Sequence, residues 1–137
     1  MRFLSIYKAK ETNVPPTTEE MAAMGTLIDE MTKEGTLVST EGCLPSAKGA
    51  RVRRSNGNVS VTDGPFTESK EVIAGYAILE AKSKEHAIEL TRRFLEVVGE
   101  GECELRQVAS AEDFGDAFTP ELRDQYERSE ERMRANR

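Results

Sequence analysis

The sequence predicts an α+β protein, a ferredoxin-like β-α-β-β-α-β sheet with an inserted β-hairpin and a C-terminal helix. Three observations predict it. Apolar, β-branched and aromatic runs open the chain and recur near residues 36–40, 72–81 and 102–109. Two amphipathic helical stretches separate them, and an Asn-Gly pair marks a hairpin in the middle. Two β-α-β units in tandem favour one sheet with both helices on the same face.

Each element has its own signal. Residues 2–8 (RFLSIYK) carry strand-forming side chains on both alternating faces. After the loop ETNVPP, Thr17 and Glu20 have capping-box spacing. Met21, Met24, Leu27, Ile28 and Met31 then recur at helical spacing up to Gly35, a residue suited to a left-handed helix end. This methionine stripe reads as core packing, since Met fills irregular gaps. Residues 36–40 (TLVST) form a second strand, and 51–54 and 58–62 are hairpin strands around Ser55-Asn56-Gly57. A turn at Asp63-Gly64-Pro65-Phe66 leads into Val72–Ala81 (VIAGYAILEA), the strongest strand signal. Ser83 caps a helix bearing Ala87, Ile88, Leu90, Phe94, Leu95 and Val98, ending near Gly99. A last strand spans 102–109, and Thr119-Pro120 opens a helix to about Ala135. Its stripe of Leu122, Tyr126 and Met133 is thin and suits clasping an edge or a partner subunit.

Length and composition narrow the function classes. The 137 residues fit one domain, and 37% hydrophobic with 32% charged residues describes a globular chain with a solvated surface. The net charge is −6, with no basic block long enough to track a phosphate backbone, so nucleic-acid binding is not expected. Two distant cysteines, Cys43 and Cys103, make neither a disulfide framework nor a zinc site, and no cofactor fingerprint occurs. No secretory leader or membrane span is apparent, so the expected location is the cytoplasm.

A homodimer is expected because the central strands are apolar on both faces. Val72, Ala74, Tyr76 and Ile78 alternate with Ile73, Gly75, Ala77 and Leu79, and Phe3 and Tyr7 oppose Leu4 and Ile6. Two helices cover one face; a second copy is the simplest cover for the other.

Chemistry concentrates around one segment, Val61-Thr62-Asp63-Gly64-Pro65-Phe66-Thr67-Glu68-Ser69-Lys70-Glu71. Asp63, Gly64 and Pro65 build a rigid turn that aims Phe66, and Glu68, Lys70 and Glu71 suit an ion-pair network fixing the loop. Asp63 and Glu68 are also candidate catalytic carboxylates, their pKa values raised if an apolar pocket encloses them. Tyr7 and Tyr76 are candidate hydrogen-bond donors to a developing oxyanion, and Arg51, Arg53 and Lys70 candidate contacts for a small anionic ligand.

The stretch DGPFTESKEVIAGYAIL, with Gly42-Cys43-Leu44-Pro45, Arg51-Val52-Arg53 and Val61-Thr62, resembles the DGPF-bearing branch of the YCII-related family. The resemblance covers about residues 1–109, leaving 110–137 as a helical extension, and makes Asp63, Gly64, Pro65, Phe66, Glu71 and Gly75 motif residues. It implies a dimeric α+β barrel of ferredoxin-like subunits, some relatives being lyases or isomerases of small aromatic-derived or lactone substrates. Enzymes of that kind are associated with a His–Asp pair based on the first helix. This sequence departs from the pattern: its single histidine, His86, falls at the start of the second helix. The reading is therefore a homodimer with a pocket for a small anionic molecule and lyase- or isomerase-like acid–base chemistry. The alternative is a non-enzymatic accessory module linked to a sigma-factor or stress-response system.

Overall fold

A computed structural model describes Met1–Arg137. In chain order the elements are β1 (Arg2–Ala9), α1 (Thr18–Glu34), β2 (Leu37–Gly42), β3 (Ala50–Ser55), β4 (Asn58–Asp63), β5 (Val72–Glu80), α2 (Lys84–Val98), β6 (Glu102–Gln107) and α3 (Pro120–Ala135). Short 3₁₀ turns occupy Ser46–Lys48 and Ala111–Ala117. Met1–Gln107 form one compact unit and Val108–Arg137 a second.

In the first unit β2, β5, β1 and β6 lie side by side, every neighbouring pair antiparallel. This is the ferredoxin-like order, and β3 and β4 pair separately as the inserted hairpin. Asn56 and Gly57 both adopt positive φ (52° and 79°), the conformation that an Asn-Gly hairpin turn demands.

The helix ends obey local chemistry. The Thr17 hydroxyl accepts from the Glu20 amide and Gly35 closes α1 at φ 77°. The Ser83 hydroxyl accepts from the His86 amide at the start of α2. Arg93 ties the two helices together, donating to Glu34 at 2.8 Å with Glu30 at 3.5 Å.

Register decides what each sheet face presents. Phe3 pairs with Leu79, Ser5 with Ala77 and Tyr7 with Gly75, all on the helix-covered face. There Phe3, Leu27, Met31, Leu79, Ala81, Ala87 and Leu90 form the buried core. The opposite face carries Leu4 against Ile78 and Ile6 against Tyr76, with Lys8 reaching Glu104 at 2.9 Å. No element of this unit covers it: Leu4, Ile6 and Ile78 are only half-buried and Tyr76 is exposed.

Strict alternation along β5 fails at its start. A bulge leaves Ala74 without a partner, so Lys8 pairs with Ile73. Ile73, expected on the face of Gly75, is thereby turned to the face of Ile6 and stands 54% exposed.

Candidate functional site

The DGPF segment is a strut docked on the neighbouring loops. Ser46 is its hub: its hydroxyl accepts from the Phe66 amide at 2.9 Å and donates to Glu11 Oε2 at 2.7 Å. The Ser46 amide donates to the other Glu11 oxygen, and the Gly64 amide donates to the Gly49 carbonyl at 3.0 Å. The peptide bond between Gly64 and Pro65 is cis. A side chain at position 64 would collide with the Ser46 carbonyl, so only glycine lets the two backbones meet.

A second clasp sits beside it. The Arg51 guanidinium lies 3.9 Å from the centre of the Phe66 ring, donates to Ser69 Oγ at 3.1 Å and pairs with Glu68. The hydrogen bond from Arg51 holds the Glu68 carboxyl below its usual range.

The sequence expectations for this segment meet a different environment. Asp63 and Glu68 are exposed, and Glu68 has its pKa lowered by a cation instead of raised by burial. Arg51 is engaged with Phe66 and Glu68, Arg53 stands exposed on the hairpin opposite Ser60, and Lys70 and Glu71 are exposed. Tyr76 borders the cavity described next, but its register with Ile6 puts it on the other sheet face from Tyr7. Of the candidate residues Asp63, Glu68, Arg51, Arg53, Lys70, Tyr76 and Tyr7, the structure brings only the two tyrosines to that cavity.

The cavity, of about 470 Å³, lies between the helices and the sheet. Met24, Ile28 and Met31 of α1 and Leu90, Phe94 and Val98 of α2 wall it. Its floor includes Gly42 and Gly75, which face each other across β2 and β5. A Cβ on Gly75 would lie 2.8 Å from the Glu41 carbonyl oxygen and 3.3 Å from Gly42 Cα, whereas one on Gly42 meets nothing within 4 Å. The floor is bare because the two backbones run too close for a side chain at Gly75.

Tyr7 supplies the principal polar group. Its ring meets Phe94 edge-on at 5.1 Å, and its hydroxyl donates to the Glu100 carbonyl at 2.6 Å. Gly101, at φ +144°, lets the chain cross against this ring, since a side chain there would strike it. Burial first, then the charges of Cys103, Glu71 and Glu100, raise the Tyr7 pKa above 10.0. Burial likewise raises the Cys103 thiol, opposite Tyr7 in the register. Both groups are neutral at neutral pH, so Tyr7 is a donor and not a base. Ser5, Thr40 and Thr91 also line the cavity, but Thr91 donates to the Ala87 carbonyl and Thr40 to that of Tyr76.

The methionine stripe thus serves both core and cavity, a dual role that periodicity does not distinguish. His86 lies away from the site as a helix-start residue, its Nδ1 accepting from the Lys82 amide at 3.0 Å. No group of three or more His, Cys, Asp or Glu side chains is placed to hold a metal ion. No helix is long and apolar enough to cross a membrane. A second cleft of about 470 Å³ lies among Ala9–Pro16, Cys43–Pro45 and Val72–Ala74, but its carboxylate, Glu11, is committed to Ser46.

The fold and cavity define a ferredoxin-like α+β domain with an apolar chamber between sheet and helices. Residues 1–111 match the YCII-related domain, and the chain belongs to that family. Among solved structures the fold is similar to 5-chloro-2-hydroxyhydroquinone dehydrochlorinase (TftG) from Burkholderia phenoliruptrix AC1100, in complex with 2,5-dihydroxybenzoquinone. The TM-score is 0.50 at 13% identity, over 80% of this chain and 94% of that one. No curated protein matches the sequence.

Two outcomes test the site's construction. Ser46→Ala strands the Phe66 amide and Glu11, and lowers unfolding stability by about 1–3 kcal/mol in a denaturant titration. Gly64→Ala costs more than Ser46→Ala does, because backbone must move; equal midpoints for the two variants would remove the strut from the account. The raised Tyr7 pKa means the folded state holds that proton more tightly. Its stabilising contribution is complete below the ordinary value of 10.0 and is lost as pH rises through the raised value. The phenolate absorbance difference between wild type and Tyr7→Phe therefore has its midpoint above 10.0.

Proposed function

We propose that this protein binds a small, uncharged, largely apolar ring compound beneath α1 and α2. Tyr7 meets an oxygen substituent of the ligand as a hydrogen-bond donor in a lyase- or isomerase-type step. One observation carries the reading: the cavity walls are predominantly apolar, no lysine or arginine is among the lining residues, and Tyr7 is a protonated phenol. Its volume lies in the range of small-molecule sites. The dehydrochlorinase of similar fold holds a hydroxylated six-membered ring, which supports the size class of ligand.

The anionic ligand read from Arg51, Arg53 and Lys70 gives way to a neutral one, since a buried anion without a cation is strongly disfavoured. A ligand hydroxyl donates to the Tyr7 oxygen while the Tyr7 hydroxyl keeps donating to the Glu100 carbonyl. A ligand carbonyl competes with Glu100 for that hydrogen bond, and as negative charge develops on the ligand oxygen the competition turns in its favour. On this reading Arg51 and Glu68 hold the motif loop, Tyr7 keeps its own proton, and the proton that leaves the ligand passes to solvent water, which returns one to the product.

The uncovered sheet face is the second part of the proposal. Leu4, Ile6, Tyr76 and Ile78 form an apolar centre beside the Lys8–Glu104 and Arg106–Glu104 pairs. A second copy, turned about a two-fold axis, buries this centre and sets one mixed-charge margin against the other.

Calorimetric titration with hydroquinones and with benzoates tests the ligand. Neutral hydroquinones bind wild type more tightly than benzoates do. Gly42→Leu, which fills open space at the floor, abolishes binding while keeping the unfolding midpoint near wild type, and Tyr7→Phe weakens binding about tenfold, the worth of a hydrogen bond of about 1.4 kcal/mol. Unchanged affinity in Gly42→Leu sinks the cavity as the site. For the second copy, light scattering at micromolar concentration gives twice the chain mass of 15.2 kDa; a monomer refutes the covered face.

A further inference from the structure

The family match ends at residue 111, and α3 lies beyond it. Along this helix Leu122, Tyr126, Ser129 and Met133 follow each other at spacings of four, three and four, the repeat of a two-heptad d-a-d-a seam. Leu122, Tyr126 and Met133 are 39%, 59% and 58% exposed. Phe118 touches the Tyr126 ring edge-on at 5.2 Å, yet most of the seam has no apolar cover.

We propose that α3 pairs antiparallel with α3 of a second copy of this chain. Charge and shape complementarity select this occupant and this direction. In an antiparallel pair each d position faces an a position, so Leu122 meets the partner's Met133 and large Tyr126 meets the partner's small Ser129. The flanking e positions are Arg123 and Glu130, and in this direction e faces e. Arg123 therefore pairs with the partner's Glu130 while Glu130 pairs with the partner's Arg123, a self-complementary arrangement about one two-fold axis. At the other margin Gln125 faces the partner's Arg132, an amide oxygen against a guanidinium. A parallel pair instead sets Tyr126 on its own copy and Ser129 on its own copy, and its flanking contact is Gln125 against Glu130, with no ion pair.

Both charged residues are free to take these roles. Arg123 lies 5.4 Å from the Phe118 ring centre, and Glu130 only reaches Arg134 at 4.0 Å. Two heptads are marginal by themselves, so the pairing is a clasp strengthened by any other contact between the same two chains. It is independent of the ligand cavity.

Cysteine linking in the full-length chain tests it, with Cys43→Ser removing the exposed native thiol. Leu122→Cys and Met133→Cys proteins are mixed at micromolar concentration under mild oxidation. The expected result is a mixed 122–133 disulfide at least about tenfold more abundant than either homodisulfide, as a register difference of that size in free energy gives. Introduced into these proteins, Arg123→Glu alone or Glu130→Arg alone turns both attractive pairs repulsive and cuts linking about tenfold. The double exchange Arg123→Glu with Glu130→Arg restores it. Statistical linking, predominance of 122–122 disulfides, or a double exchange as poor as the singles each overturns the antiparallel clasp.

Discussion

The close approach of two backbones at Gly75 is the constraint on which the site depends. The Glu41 carbonyl stands 2.8 Å from the place a Cβ would occupy, so β2 and β5 can run together only if position 75 has no side chain. On the helix-facing side this removes one wall residue from the middle of the sheet, and Gly42 opposite removes another. The helices cannot fill the gap. Leu27 and Met31 of α1 and Leu79 of β5 belong to the buried core and also line the cavity, and Met24 and Ile28 extend the wall along α1. Core and cavity therefore share side chains in the same layer.

That arrangement has to be held open against collapse, since burying apolar surface drives α1 toward the sheet. Struts at several points oppose it. Arg93 fixes α2 to the end of α1 through Glu34, whose carboxyl it holds below the usual range. The Tyr7 ring is wedged between Phe94 and the Gly101 backbone. The DGPF segment acts at longer range: the Phe66 amide binds Ser46, which in turn binds Glu11, and this chain of bonds anchors the loops that leave β2 and β1.

Much of the fold was legible in the sequence because its signals are local. The Thr17 and Ser83 caps, the Gly35 helix end and the Asn56-Gly57 turn are each decided by a few adjacent residues, and each element lies where its pattern placed it. What was not legible depends on pairing. The bulge at Ala74 turned Ile73 to the other face, and alternation alone contains no sign of it. The surroundings of Glu68 turned on whether a cation or an apolar wall stands nearby, and Arg51, seventeen residues before it, supplies the cation. The cavity was hidden for the same reason: the methionines read as core, and only the register reveals that two glycines face them. A close pair of glycines across β2 and β5, had strand pairing been inferred, was the signal that would have found it.

Electrostatics then limits what the chamber can do. The Tyr7 phenol at the cavity is kept protonated by burial, and the Cys103 thiol and the charged pairs Lys8–Glu104 and Arg51–Glu68 lie outside its lining. A full negative charge formed inside would find no countercharge, only the phenol proton and whatever donors a ligand brings. On the proposed reading, a ligand that spreads charge over a conjugated ring suits such a chamber best, because delocalisation lowers the cost of the missing cation. A reaction that concentrates charge on one carboxylate or alkoxide would need an arginine that this chain spends on Phe66.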